Sequence, residues 1–272
     1  MQALQRNRTV RPMDVLAPRT LIEALQLKAE HPDAQPIQGG TDLMVALNFD
    51  RTRPAKLLDL NAVAELRGWS RENGSLRLGS GLTYTEAMRG ELGRLLPALA
   101  EAARTVGSPQ IRNRGTIGGN LGTSSPAGDA LPPLTVEGAE IECTSTRGTR
   151  RLPVLEFITG VKRNALAPDE LITAVWVTPS AAPQTFMKVG PRNAMVIAVV
   201  SLCLSAGEEL RASFGSVSAR PVLVTAPRAE AGSFAEQVAA AAAPIDDVRG
   251  TARYRTHALR VLAGRALDRV LA

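Results

Sequence analysis

Cysteine occurs twice in the 272 residues, at Cys143 and Cys203, and histidine twice, at His31 and His257. No two of these have metal-ligand spacing, and two thiols are too few to hold an iron–sulfur cluster. The cysteines are predicted to be buried free thiols. Aromatic residues make up 3% of the chain, so no rings are interleaved with the basic residues to stack nucleic-acid bases. No run approaches 18 apolar residues, which excludes a membrane-spanning helix. The first twenty residues carry charges throughout and lack the apolar stretch of a signal peptide. A cytoplasmic location is expected. Acidic residues are fewer than basic ones, Asp+Glu 26 against Lys+Arg 32, which leaves a formal charge of +6. The arginines are scattered rather than blocked. The excess therefore reads as a solvated surface, or as an attraction for an acidic partner or an anionic cofactor.

What remains is the composition of an ordinary globular chain, 44% hydrophobic and 21% charged. Thr20 and Glu23 form a capping-box pattern before a helix whose apolar face is Ile22, Leu25 and Ala29. The stretch PIQGGTDL reads as strand, glycine turn and helix start, and AKLLDL and LRLGSGLT read as strands. Thr83 and Glu86 repeat the capping pattern, and Leu95, Leu99, Ala103 and Val106 follow with helical spacing. AEIECTSTRGTRRLPV is a hairpin turning at Arg147–Gly148, and DELITAVWVTP is a strand. An Ala- and Pro-rich spacer after Pro179 suggests a boundary between domains 1–179 and 184–272. Beyond it, TFMKVG, AMVIAVVSLCLSA and ELRASFGSV read as an antiparallel meander. Two helices close the chain, the last with Ala258, Leu262, Ala266 and Val270 on one face. The order argues an α+β protein in at least two domains.

Two stretches expose unusual amounts of bare backbone: QGGTDL, from Gln38 to Leu43, and GTIGGNLGTSS, from Gly115 to Ser125. A glycine pair admits close approach of an oxyanion, and successive amides at a turn form an anion nest. Thr41, Thr116, Thr123, Ser124 and Ser125 add hydroxyl donors. Neither stretch matches the P-loop, nor the glycine fingerprint of dinucleotide-binding βαβ units. On these residues alone, tight turns and a two-loop grip on a pyrophosphate stand about even.

The pair QGGTDLM and GSPQIRNRGTIGGNLGTSSPAGDALPPL, with the later stretches FMKVGPRNAMVIAVVSLCLSA, FGSVSARPV and RGTARYRTHALRVLAGRAL, resembles the flavin subunit of the molybdenum hydroxylases. That family includes xanthine dehydrogenase, aldehyde oxidase and carbon monoxide dehydrogenase. The resemblance covers nearly the whole chain. It implies a two-subdomain FAD-binding domain of the vanillyl-alcohol-oxidase (PCMH) type, followed by a small domain with a three-stranded antiparallel sheet and helices. It also implies FAD contacts at Ile37, Gln38, Gly39, Gly40, Thr41, Asp42 and Leu43 on the first loop. On the second loop they fall at Thr116, Ile117, Gly118, Gly119 and Asn120, with Ile117 beside the flavin ring. Thr123, Ser125, Asp129 and Ile172 match further contacts, as does Val106 at a position that is aromatic in the animal enzymes. Lys188 matches a cation near the pyrimidine edge of the flavin, where it would stabilise the reduced ring.

No catalytic residue is implied on this chain. The resemblance instead implies a small partner with two [2Fe–2S] clusters, a large molybdopterin partner that oxidises the substrate, and an acceptor such as NAD, in a dimer of heterotrimers. The look is closest to bacterial xanthine dehydrogenase subunits. A branch with a cysteine-rich insert for a [4Fe–4S] cluster is disfavoured, since those cysteines are missing. Two rival readings are a self-contained flavin oxidase or reductase of the same fold class, and a basic nucleic-acid-binding module.

Overall fold

The computed structural model describes residues 13–272. Most of the N-terminal stretch read above for targeting signals, and the start of domain 1–179, lie outside the described residues. Among the described residues, no helix is long and apolar enough to cross a membrane.

The first layer is a three-stranded parallel sheet in the order Asp14–Leu16, Lys56–Asp59, Gln35–Ile37. The helix Leu21–Glu30 connects two of its strands. Thr20 caps this helix by accepting from the Glu23 amide at 3.2 Å. Glu23 does not reach back to Thr20 and takes the Arg19 amide at 2.8 Å instead. The buried face is Ala24, Leu25 and Lys28, while Ile22 is 71% exposed. The predicted face is therefore rotated: on so short a helix, the side that packs follows Leu21, Ala24, Leu25 and Lys28, and Ile22 falls one step off it. Lys28 is buried because its ammonium donates to Pro32 O and Ala34 O, both at 2.8 Å, and so closes the helix end. Burial pulls its pKa below the usual lysine range.

The second layer is a five-stranded antiparallel sheet in the order Trp69–Glu72, Ser75–Gly79, Leu171–Val177, Glu140–Ser145, Gly148–Pro153. Its middle strand, Leu171–Val177, is buried at every position but Trp176. Helices from the 84–136 region cover one face, and Leu78, Leu82, Ile117, Leu121, Ile141, Phe157 and Val175 form the core between them. The helical spacing predicted from Leu95 to Val106 is interrupted: Gly90–Leu95 and Pro97–Thr105 are separate helices, because Pro97 cannot continue the first and starts the second.

The third layer is a four-stranded antiparallel meander, Gln184–Val189, Val200–Ala206, Glu209–Gly215 and Leu223–Pro227. The fourth strand extends the three expected. The second begins only at Val200, so residues 194–199, read as the start of that strand, belong to the connecting loop 190–199. Helices Ala231–Ala240 and Ala252–Leu271 pack on one face, and Ala258, Leu262, Ala266 and Val270 are buried there as predicted. On the other face, Phe186 and Cys203 meet Ala98, Ala102 and Val136, which welds this sheet to the helices of the second layer. Both cysteines are buried free thiols.

Phe234 is fully buried in the third layer. Phe234→Ala is expected to destabilise the chain by about 3–5 kcal/mol, measured by urea unfolding. A change below about 1 kcal/mol would show that the Ala231–Ala240 helix contributes little to the core.

Candidate functional site

The first glycine loop follows the strand Gln35–Ile37 and leads into the helix Leu43–Asn48. Its backbone is open. The peptide N–H groups from Gln38 to Leu43 find no acceptor among the described residues, and the ladder resumes only with Met44 N to Gly40 O at 2.9 Å. Gly40 takes a left-handed turn, φ +72°. At Gly39 a Cβ would lie 2.2 Å from Arg114 O, so only glycine allows the loop to press against the second segment. Successive unpaired amides on a turn make an anion nest.

The second loop uses its glycines differently. Thr116 caps the helix Ile117–Thr123 by accepting from Gly119 N at 3.0 Å. Ile117 N donates to Leu82 O at 2.9 Å and Gly118 N to Ser80 O at 2.8 Å. These amides were predicted to face a pyrophosphate, and they are already engaged within the protein. Gly118 is glycine for packing, since a Cβ there would sit 2.5 Å from Ser80 Cβ. Ile117, expected beside the flavin ring, is fully buried in the core. What this segment offers outward is the exposed backbone at Gly119 and the part-exposed Thr123 and Ser125, while the Asn120 amide packs against Gly128. Ser125 Oγ accepts from Ala127 N at 3.3 Å.

The two loops are brought together. Thr123 Oγ1 donates to Asp42 Oδ2 at 3.1 Å, and Arg114 donates to Gln38 O at 3.3 Å and to Asn61 Oδ1 at 3.0 Å. Between them runs Gly79–Ser80–Gly81, which sequence reading took for the end of a strand. It receives Gly118 N and sends Gly81 N to Leu66 O at 2.7 Å. The signal for it was present in the sequence, a second close glycine pair directly after a strand. Arg112 and Arg114 carried no sequence-based role. In the fold Arg112 donates to Val106 O at 3.1 Å and Gly107 O at 2.9 Å, fixing the turn that ends the Pro97–Thr105 helix. Val106 is half-buried in that turn. Ile172, 8% exposed, reaches toward Gly122 on the second loop.

Asp129 and Lys188, predicted as separate contacts, meet each other. Lys188 Nζ donates to Asp129 Oδ2 at 2.6 Å and to Thr105 O at 3.3 Å, with the two side chains 5% and 7% exposed. Burial pushes the Asp129 carboxyl above its usual range, and the Lys188 ammonium pulls it back in part. Lys188 also lines a cleft of about 300 Å³ between Arg104–Gly107, Arg112 and the loop Gly190–Val196.

Buried polar atoms without a partner collect here. Among the described residues they include Gln38 Nε2, Ser80 Oγ, Asn120 Oδ1 and Asp129 Oδ1, on the loops, the segment between them or the ion pair. Such groups are costly unless something bonds to them. Open amides, a close-packed glycine cradle and unsatisfied polar atoms fit an extended, anionic cofactor.

Comparison with known proteins agrees. Residues 11–179 match the family model described as the FAD binding domain in molybdopterin dehydrogenase. The xanthine dehydrogenase FAD-binding subunit of Escherichia coli O157:H7 is 31% identical over 274 residues, spanning 93% of this chain and 94% of that one. The carbon monoxide dehydrogenase medium chain of Afipia carboxidovorans is 29% identical over 282 residues, 95% of this chain and 96% of that one. The fold is shared with quinoline 2-oxidoreductase from Pseudomonas putida 86, with TM-score 0.88 and 24% identity over 95% of this chain and 96% of that one. This chain belongs to the family of FAD-binding domains of molybdopterin dehydrogenases, and the orphaned polar atoms and open loop fit FAD as its cofactor.

Two glycines of the second loop predict opposite responses to a single methyl. Gly118→Ala is expected to cost about 1–3 kcal/mol by overpacking against Ser80 and to lower the FAD content of the purified protein. Gly122 lies in the same helix, and a Cβ there meets only Ile172 Cδ1, at 3.8 Å. Gly122→Ala is expected to gain about 0.5–1 kcal/mol. Urea unfolding of both variants checks the contrast.

Proposed function

We propose that this chain is the electron-transfer subunit of a multi-subunit molybdenum hydroxylase of xanthine dehydrogenase type. In this reading it takes electrons from the [2Fe–2S] clusters of a small partner and passes them to an acceptor such as NAD. A large molybdopterin partner oxidises the substrate, and the assembly is a dimer of heterotrimers in the cytoplasm. The partition into 1–179 and 184–272 belongs to the same proposal. Bound FAD supplies the conversion between one-electron carriers and a two-electron acceptor.

This chain's residues bind and orient. The amides from Gln38 to Leu43 hold the pyrophosphate, with Ile37 shaping the root of the loop. Thr116, Gly118 and Ile117 act from behind, keeping the opposite wall rigid, while Gly119, Asn120, Thr123 and Ser125 face the cofactor. Val106 and Ile172 supply apolar edges. Lys188 and Asp129 set the field at the ring. The observation that carries the reading is the buried Lys188–Asp129 pair, whose lysine lines a cleft. The xanthine type is supported by the similarity to xanthine dehydrogenase FAD-binding subunits. A nicotinate dehydrogenase FAD-subunit of Eubacterium barkeri is 37% identical over 199 residues, so the substrate is decided by assay.

Purification from its own cell is expected to yield a yellow protein together with an iron–sulfur and a molybdenum polypeptide, active on purines. Activity on aldehydes or aromatic nitrogen heterocycles alone would replace the xanthine type with another. Recovery without partners would favour a self-contained flavoenzyme. Lys188→Met leaves a buried carboxylate unpaired and is expected to destabilise by about 3–5 kcal/mol. Asp129→Asn/Lys188→Met is expected to recover that stability while the bound flavin keeps a potential below wild type. A wild-type potential in the double variant would show that the pair only supports the fold.

A further inference from the structure

Arg255 is the largest fully buried side chain among the described residues, 1% exposed, in the first turn of the C-terminal helix. It touches neither glycine loop. Its guanidinium donates to Val199 O at 3.2 Å and also to Ser216 O, and pairs with Asp247. Burying a guanidinium is expensive unless every donor is used, so the acceptors identify what the residue is for.

Ser216 is the informative one. It is a non-glycine residue held at φ +67°, a conformation that surrounding structure must enforce. Each of its polar groups ties a different segment. Its N–H donates to Pro126 O at 2.8 Å, its hydroxyl to Ala198 O at 2.9 Å, and its carbonyl receives Arg255. Pro126 begins the short run to Asp129. Ala198 lies at the far end of the loop that leaves the strand bearing Lys188. The preceding residue, Gly215, is in register with Ser201, and Ser201 with Lys188. At Gly215, the last residue of its strand, a Cβ would lie 2.5 Å from Ser201 Oγ and 3.2 Å from Pro126 O, so this end of the sheet and the Asp129 segment are in close contact.

We propose that Arg255 is a positioning residue of the flavin site: through Ser216 it fixes the backbone supports of Lys188 and of Asp129 relative to each other. The inference rests on the reading of that pair as part of the flavin site. It makes the C-terminal helix, remote in sequence from both loops, a determinant of FAD affinity.

The test is a double-mutant cycle on the full-length chain, read as the dissociation constant of added FAD by flavin fluorescence. Arg255→Gln is expected to weaken FAD binding about tenfold. In the Asp129→Asn/Lys188→Met background, where there is no ion pair to position, the same change is expected to have almost no effect. Arg255→Lys should recover part of the loss. An equal factor in both backgrounds, or a lower melting temperature with unchanged FAD affinity, overturns the proposal. If Arg255→Gln does not fold, Ser216→Gly removes only the hydroxyl tie to Ala198 while relaxing the backbone. It should give a smaller loss with the same dependence on the pair, and an unchanged affinity again overturns the proposal. If the Asp129→Asn/Lys188→Met chain itself binds FAD as wild type does, with an unchanged potential, the underlying reading of the pair fails and takes this inference with it.

Discussion

The buried pair between Lys188 and Asp129 is the interaction on which the arrangement depends. Neither charge is stable alone at such burial, because desolvation of each ion costs several kcal/mol. Their contact at 2.6 Å offsets that cost only while the two backbones stay in place. Lys188 comes from the edge strand of the third layer, Asp129 from the segment after the second glycine loop. The pair therefore forces two parts of the chain, far apart in sequence, to close on each other. Thr105 O takes part of the lysine's remaining capacity. Asp129 Oδ1 has no partner among the described residues. A half-satisfied buried carboxylate is costly, so the pair that joins the layers is also a point where the protein leaves hydrogen-bonding capacity unused.

Around this point the two loops divide the work. The first leaves its amides open and is shaped for an anion. The second gives its amides to Leu82, Ser80 and Thr116, and becomes the rigid surface against which the first is set. Glycine is needed in both. In the first loop it bends the backbone and lets it press on Arg114; in the second it removes the side chain that would separate the helix from Ser80. Close packing thus requires glycine at Gly39 in the first loop and at Gly118 in the second, while Gly40 is required by its positive φ.

Much of this was legible in the sequence where local chemistry decides the outcome. The Thr83–Glu86 capping box and the Ala258–Leu262–Ala266–Val270 stripe depend on neighbours within a few residues and are found as read, and the hairpin forms with its turn one residue earlier, at Thr146–Arg147. The misreadings share a cause. Ile22 fits a helical period, but which side of a short helix packs is set by the sheet beneath it. Residues 194–199 have the composition of a strand, yet the partner strand ends at Val189, and without a ladder the segment stays a loop. The amides of Ile117 and Gly118 looked free because their acceptors, Leu82 and Ser80, lie more than thirty residues away in the chain. The roles of Arg112, Arg114 and Arg255 were hidden for the same reason: an arginine that caps carbonyls in three dimensions reads as a surface charge in one.

Those arginines also change the meaning of the positive charge. A net +6 suggests a field that attracts anions from solution. Several of the cations nearest the site are instead committed to protein carbonyls or carboxylates: Arg112 to Val106 and Gly107, Arg114 to Gln38, Lys188 to Asp129. Free charge beside a pyrophosphate would hold it by long-range attraction that salt screens. Oriented amides hold it by short-range geometry that salt barely touches. The chain spends these basic side chains on fixing the backbone, and the fixed backbone leaves the amides of the first loop open. Retention of FAD should accordingly depend on the stiffness of the surrounding layers, through residues such as Ser80 and Arg114, far more than on ionic strength.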